Sequence, residues 1–488
     1  MAQSIELSLV SHTNVGKTTL ARTLLGRDVG DVRDEAHVTI SADRHEMVTT
    51  PEGESLALWD TPGFGDSVRL AKRLAQSDNP LGWFLSQVWD RYRDRAFWSS
   101  QQAVRNVRDH ADVILYLVNA SEDPEDTAYV AREMQVLEWM AKPVIVLLNQ
   151  LGRPRPVDEE EAELQRWRHH LAVLHCVRAV LAFDAFARCW VQETVLFGAL
   201  EAVVPLEKRA AFARLSAQWL HERRVTFDAS LDVLAAGLAR AARDQEPVAE
   251  GDWTGRLRDV ATAVGVRKEA SDSPRQRAMR ALAERLDEDI RANSDRLIAL
   301  HGLGGHASAE ILTRLADQYA VRERLSEGKA AALGGVVTGA LAGLKADLAS
   351  GGLSFGAGVL VGSVLGALGG AGLARGYNLV RGAELTTIAW TDEVLDQLAI
   401  SALLGYLAVA HYGRGRGDWA ASEYPEHWPA IVAQAHSAMH EGFRNAWSLR
   451  RDDDASTSLQ PALRDALAAC ASEVLRRLYP GARLEIDP

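Results

Sequence analysis

The sequence predicts an α/β fold over residues 1–205, with a phosphate-binding loop on a doubly wound, mostly parallel sheet. An all-α domain containing a glycine-zipper helical hairpin is expected over 206–488. Three observations lead there. Short continuous apolar runs, 111–118 (ADVILYLV) and 143–148 (PVIVLL), have the composition of strands covered on both faces, and helical patterns such as 127–141 separate them. A glycine-lysine-threonine loop follows the first alternating segment and precedes the first helical one. From about Leu206 onward, Ala, Leu and Arg recur at helical spacing and the β signals fade.

Taken in order, Ile5, Leu7 and Leu9 alternate with Glu6 and Ser8 and run into Val10, which predicts a first strand leading to a loop. A helix is expected over 17–25. Segments 44–50 and 56–59 flank Pro51-Glu52-Gly53, a hairpin signal that makes them antiparallel neighbours. The long stretch 66–110 carries Trp83, Phe84, Trp89, Tyr92, Phe97 and Trp98, and reads as an elongated helix with an aromatic core face, a partner-binding surface being the alternative. Residues 180–183 end the β pattern. Segments 245–252 and 270–276 read as linkers between helices, and the acidic runs 158–161 and 452–454 as solvated helix starts or loops.

At 488 residues the chain is too long for one compact core, so two or three domains are expected. A hydrophobic share of 47% and a charged share of 25% are ordinary globular values and exclude a disordered or fibrous protein. The net charge of −12 supplies no molecule-wide field for nucleic acid or an anionic surface. Cys176, Cys189 and Cys470, a sparse and odd set, suit buried thiols in a reducing compartment. No basic region followed by an apolar stretch opens the chain, so no export signal is expected and a cytoplasmic location is.

The chemistry concentrates in Ser11-His12-Thr13-Asn14-Val15-Gly16-Lys17-Thr18, which matches GxxxxGK followed by Ser or Thr except that Ser11 stands at the first glycine. Backbone N–H groups of such a loop, with the helix N-terminus behind it, wrap a phosphate. Lys17 adds an ammonium for the β- and γ-phosphates, and the Thr18 hydroxyl is placed to ligate magnesium. Asp60-Thr61-Pro62-Gly63 ends the third expected strand, where a carboxylate can hold magnesium through water and the Gly63 amide can meet the γ-phosphate. Thr39 is the expected closing ligand of the metal shell, with Ser41 as competitor. Adjacent His169 and His170 point to different helix faces, and His301 with His306 lacks a ligand pattern, so no zinc site is read.

Asn14 to Leu20, Asp60 to Gly63 and Ala111 to Tyr116 together resemble the Era and TrmE branch of bacterial G proteins over roughly the first 200 residues. Leu148-Asn149-Gln150-Leu151-Gly152 and residues 184–190 further resemble a bacterial group in which an Era-like domain is fused to a C-terminal domain of unknown function. The resemblance implies GTP as substrate, Mg2+ as cofactor and a GTPase activity. It places Thr13, Asn14, Val15, Gly16, Lys17, Thr18, Thr19, Asp60, Gly63, Asn149 and Gln150 around the nucleotide, with Thr18, Thr39 and Asp60 on the metal. Lys17, Asn14 and Gly63 are the residues it assigns to catalysis.

Two departures stand out. The family's base-reading motif is NKxD, and here Gly152 occupies the carboxylate's position, with Asp158 and Asp184 as nearby substitutes; buried base N–H groups without a partner weaken discrimination against adenine. Phe64 follows Gly63 where some G proteins carry the glutamine that orients water. Relatives with a hydrophobic residue there hydrolyse slowly alone, and those with the loop asparagine can use K+. Asn14 matches that asparagine, a structural brace being its other reading.

Residues 330–344 and 348–374 carry no charge, and glycine recurs every fourth position, as Gly335, Gly339, Gly343 and then Gly358, Gly362, Gly366, Gly370. That period lines one helix face, where two backbones can approach closely. The first arm, at about 1.5 Å per residue, reaches only about 22 Å and cannot cross a hydrocarbon core of about 30 Å. The hairpin, 330–376, is therefore read either as a re-entrant or monotopic membrane element at the inner face of the cell membrane or as a packed soluble hairpin. The resulting expectation is a GTP-binding molecular switch governing a helical domain. Its partners are GTP and GDP, with a membrane, an unidentified protein and a second copy of the chain as further candidates. The alternatives are a membrane-anchoring or remodelling protein gated by nucleotide, and an Era-like RNA or ribosome assembly factor. The acidic balance and the missing basic module argue against nucleic acid.

Overall fold

The structure is a computed structural model that describes residues 3–27, 29, 42–65, 67–74, 94–151, 157–183, 189–248, 274–303, 377–381, 386–412, 425, 427–451 and 455–484. By its contacts the chain divides into two units. The first takes in Met1–Thr226, Ala410–Ala420 and Leu475–Pro488, and the second Phe227–Val409 and Ala421–Val474.

The first unit is built on six strands: β1 (Ser4–Ser11), β2 (Asp43–Thr49), β3 (Ser55–Asp60), β4 (Val113–Asn119), β5 (Val144–Asn149) and β6 (Val177–Ala182). They lie in the order β2-β3-β1-β4-β5-β6, parallel except for the β2–β3 hairpin. The expected doubly wound sheet is therefore present. Helices α1 (Lys17–Leu25), α2 (Ser67–Leu74), α3 (Arg95–Asp109), α4 (Ala128–Glu138), α5 (Val157–Leu171) and α6 (Trp190–Val203) connect or follow the strands. Because helices cover both faces, β4 and β5 have no solvated side, and Ile114, Leu115, Tyr116, Leu117, Val146 and Leu147 are all fully buried.

Register places the site. Leu9 lies opposite Asp60, Ser11 opposite Leu117, and Asn119 opposite Asn149, so the ends of β1, β3, β4 and β5 meet at one edge of the sheet. In an open α/β sheet a ligand binds beyond that carboxyl edge.

At the opposite, amino edge of the sheet, Asp112 accepts from the Glu6 amide at 2.9 Å and from Lys208 Nζ at 2.7 Å, which ties β1 to the turn that follows α6. The 35-residue helix α7 (Arg209–Arg243) comes next; Arg214, in its first half, donates to Glu54 of the β2–β3 turn at 2.9 Å. The thiols of Cys176, Cys189 and Cys470 are buried, as expected.

One expectation in this unit is corrected. The stretch 66–110 is not one uninterrupted helix: Asp94, just before α3, has a non-helical conformation (φ −134°). Phe97 reaches the core, whereas Trp83, Phe84, Trp89 and Tyr92 lie outside the described residues.

The second unit is largely helical, with α8 (Pro274–Leu300), α9 (Asp392–Ala410), α10 (Trp428–Ala438), α11 (His440–Leu449) and α12 (Ala455–Leu478). The Asn293 side chain on α8 packs against the bare backbone of Gly237 on α7, where a Cβ would lie 1.9 Å from Asn293 Nδ2. Trp447 Nε1 donates to Asp396 at 2.9 Å, and Arg464 bridges Asp228 and Asp232.

A small sheet accompanies the helices. Strands β7 (Gln245–Val248), β8 (Tyr377–Arg381) and β9 (Thr386–Trp390) pair antiparallel in the order β7-β9-β8. Gln245–Val248 is thus a strand and not the linker expected from its composition. Pro247, which breaks strand periodicity in the sequence, is tolerated because β7 is an edge. The glycine hairpin 330–376 lies outside the described residues, as do 249–273 and 452–454. Among the described residues one helix, Asp392–Ala410, is long and apolar enough to cross a membrane, and 67% of its most apolar window is buried in the protein.

Candidate functional site

The site is a loop between β1 and α1. Gly16 sits at the N-cap of α1 with φ +91°, in the left-handed region, and Asn14 shares that region at φ +64°. Space adds a second reason for glycine: a Cβ on Gly16 would lie 2.8 Å from Asn149 Nδ2. Asn149, fully buried at the end of β5, donates from the same nitrogen to the Val15 carbonyl at 2.7 Å. The base-motif asparagine therefore holds the phosphate loop from below. Gln150, next in sequence, has φ +57°.

Lys17 opens α1 and is buried. Its ammonium donates to Ser11 Oγ at 2.9 Å and to the His12 carbonyl at 3.3 Å. Burial pushes it down to about 8, against the opposing pull of the Asp60 and Glu133 charges. The hydroxyl of Ser11, at the position of the motif's first glycine, thus serves the lysine.

Gly63 lies against the same group, since a Cβ on it would approach Lys17 Nζ and Thr13 Cα to 3.0 Å. Thr13, Lys17 and Gly63 therefore converge, as the sequence reading requires of groups around a γ-phosphate. Val15 and Thr19 are buried behind the loop.

Two of the three expected metal ligands are in contact. Thr18 Oγ1 donates to Asp60 Oδ2 at 2.7 Å, while Asp60 Oδ1 is buried with no hydrogen-bond partner. Burial raises the Asp60 carboxyl, with the Thr18 hydrogen bond and the Lys17 charge acting the other way. A hydroxyl beside a buried, under-bonded carboxylate is a donor set of hard oxygens, which fits magnesium. The third ligand, Thr39, and its competitor Ser41 lie outside the described residues, as do Gly152 and Asp184.

Phe64 is fully buried, and its amide donates to the Ser11 carbonyl at 2.8 Å. Its side chain belongs to the core and offers no polar atom to a water molecule.

The sequence reading missed a cluster on the other side of the loop. Glu133 on α4 is fully buried and meets His12 Nδ1 at 2.7 Å, the Tyr116 hydroxyl at 2.7 Å, and Ser67 Oγ at the start of α2. The available signal was an acidic residue on the apolar face that also carries Val130, Met134 and Leu137.

Gly16→Ala combines a left-handed backbone with steric overlap, a strain of about 1–3 kcal/mol. We expect affinity for a fluorescent purine triphosphate to fall about tenfold or more (about 1.4 kcal/mol per tenfold), with an unchanged circular dichroism spectrum.

Residues 6–150 match a family model described as a 50S ribosome-binding GTPase, and residues 168–469 one described as a domain of unknown function, DUF3482. No curated protein matches the chain.

Among solved structures, Era in complex with MgGDPNP and a 16S ribosomal RNA segment is 18% identical, with 42% of this chain and 58% of that chain covered and a TM-score of 0.32. An Aquifex aeolicus Era variant bound to GDP and aluminium fluoride is 19% identical, with 42% and 57% covered and a TM-score of 0.32. The bacterial selenocysteine-specific elongation factor EF-Sec is 14% identical, with 42% and 29% covered and a TM-score of 0.27. The chain thus spans less than three fifths of the length of the Era chains it is similar to. The DUF3482 match takes in more than half of the 488 residues, and the chain belongs to that family, its helical domain preceded by a P-loop GTPase domain.

Proposed function

We propose that the chain is a magnesium-dependent molecular switch in which the GTP state of residues 1–205 controls the helical domain 206–488. One observation carries the reading: Lys17, Thr18, Asp60 and Gly63 converge on one phosphate loop, with Asp60 Oδ1 left without a partner.

In the hydrolysis we derive, Lys17 and the loop amides hold the β- and γ-phosphates, and Gly63 offers its amide to the γ-phosphate. Thr18 and Asp60, with Thr39 as the proposed third ligand, would hold magnesium, which when bound would supply positive charge to the phosphate oxygens. Water attacks the γ-phosphorus as the bond to the β–γ bridging oxygen breaks. The electron pair leaves on GDP, and the proton released by water passes to phosphate and solvent.

Phe64 cannot orient that water, so turnover is slow without help, and K+ held by Asn14 is the help we propose. Support for control of the helical domain comes from α7, a single helix that carries Arg214, bonded to the β2–β3 turn, and continues to Arg243. A nucleotide shifts that domain only through unequal contacts in its two states. We further propose a cytoplasmic location, with 330–376 as the candidate for peripheral association with the inner face of the cell membrane and a packed soluble hairpin as the alternative. The remaining candidate partners are an unidentified protein and a second copy of the chain.

Three measurements test this. Fluorescent GTP and ATP analogues titrated against wild type should show tighter GTP binding, and Lys17→Ala should abolish both; equal affinities would remove the guanine assignment and keep the fold. GTP turnover should be faster in potassium than in sodium buffer, and equal rates would count against the role of Asn14. Full-length protein should float with anionic liposomes and a 348–374 deletion should not; loss of flotation by neither or both would exclude the hairpin as the anchor.

A further inference from the structure

Glu133 is a buried carboxylate that the hydrolysis does not use. Its oxygens serve three separate elements: Oε1 meets His12 of the phosphate loop and Ser67 of α2, and Oε2 accepts from Tyr116 of β4. Burial and the Glu133 charge hold the Tyr116 phenol well above its ordinary range, which keeps it a donor. The His12 ring is packed at 4.6 Å from Tyr129, whose hydroxyl donates to Glu122 at 3.0 Å, so the imidazole is fixed on two sides.

A carboxylate that merely compensated its own burial could do so on one element. This one joins two segments that must act together on a triphosphate. Ser67 begins the helix after Gly63, Phe64 and Gly65, and its amide is bonded to the Gly65 carbonyl at 2.9 Å. His12 lies one residue before Thr13, the residue against which Gly63 rests. With Ser67 held to the loop, Gly63 already lies beside Lys17, where its amide can meet a γ-phosphate.

We propose that Glu133 is a positioning residue for the Asp60–Gly63 segment. By holding His12 and Ser67 on one carboxylate it keeps Gly63 against the phosphate loop, and so sets the preference for triphosphate over diphosphate. This rests on the reading of the loop as a GTP site.

The test uses full-length protein, magnesium, and fluorescent GDP and a non-hydrolysable GTP analogue. In Glu133→Gln and in Ser67→Ala the triphosphate Kd should rise about fivefold or more while the GDP Kd stays within about twofold, a coupling of ordinary allosteric size. The double variant should lose little beyond either single one, because both remove the same link. Tyr116→Phe, which removes only the strand partner, should leave the ratio unchanged.

Equal weakening of both nucleotides would reduce Glu133 to a structural role and overturn the proposal, as would additive losses in the double variant. Should Glu133→Gln fail to fold, Ser67→Ala alone decides by the same ratio. A wild type that binds neither nucleotide would instead sink the GTP reading itself.

Discussion

The Asn149 amide beneath the phosphate loop is the contact on which the rest of the site depends. It donates to the Val15 carbonyl and occupies the space that a Gly16 side chain would need. The loop thereby keeps its left-handed residues Asn14 and Gly16, and α1 starts immediately after it. Asn149 can do this only because β4 and β5 run parallel to β1 with Asn119 opposite Asn149 and Ser11 opposite Leu117. Strand register thus becomes loop geometry, and loop geometry becomes anion binding.

Electrostatics follow from the same burial. Lys17 is placed where its charge is poorly solvated, which lowers its proton affinity, and its available counter-charges are Asp60 and Glu133. Burial shifts the Asp60 carboxyl the other way, upward, and one of its oxygens has no hydrogen-bond partner. A buried ammonium beside a carboxylate with one unbonded oxygen is an arrangement that suits a phosphate together with its divalent ion. Phe64, at the position that in some G proteins addresses water, lies fully in the core.

In the helical domain the constraints concern backbones. Asn293 on α8 packs against the bare backbone of Gly237 on α7, and a three-stranded sheet joins segments far apart in sequence. Neither device resembles a site for chemistry. The phosphate loop and its partners lie in the GTPase part.

Much of this was legible in the residue order because the responsible interactions are local. The phosphate loop, the Asp60–Gly63 segment and the buried strands are runs whose composition reflects what the backbone must do there: a left-handed turn, a strand end, a surface covered on both faces. What the sequence by itself determined is therefore the parallel sheet, the loop and its lysine, threonine and carboxylate. Tertiary structure alone decided that Asn149 braces the loop, that Ser11 serves Lys17, that β7 pairs with β9 despite Pro247, and that Glu133 joins His12 to Ser67. All but the Ser11–Lys17 contact join residues distant along the chain, and in every case the direction of a side chain or ladder is set by packing, which no local pattern carries.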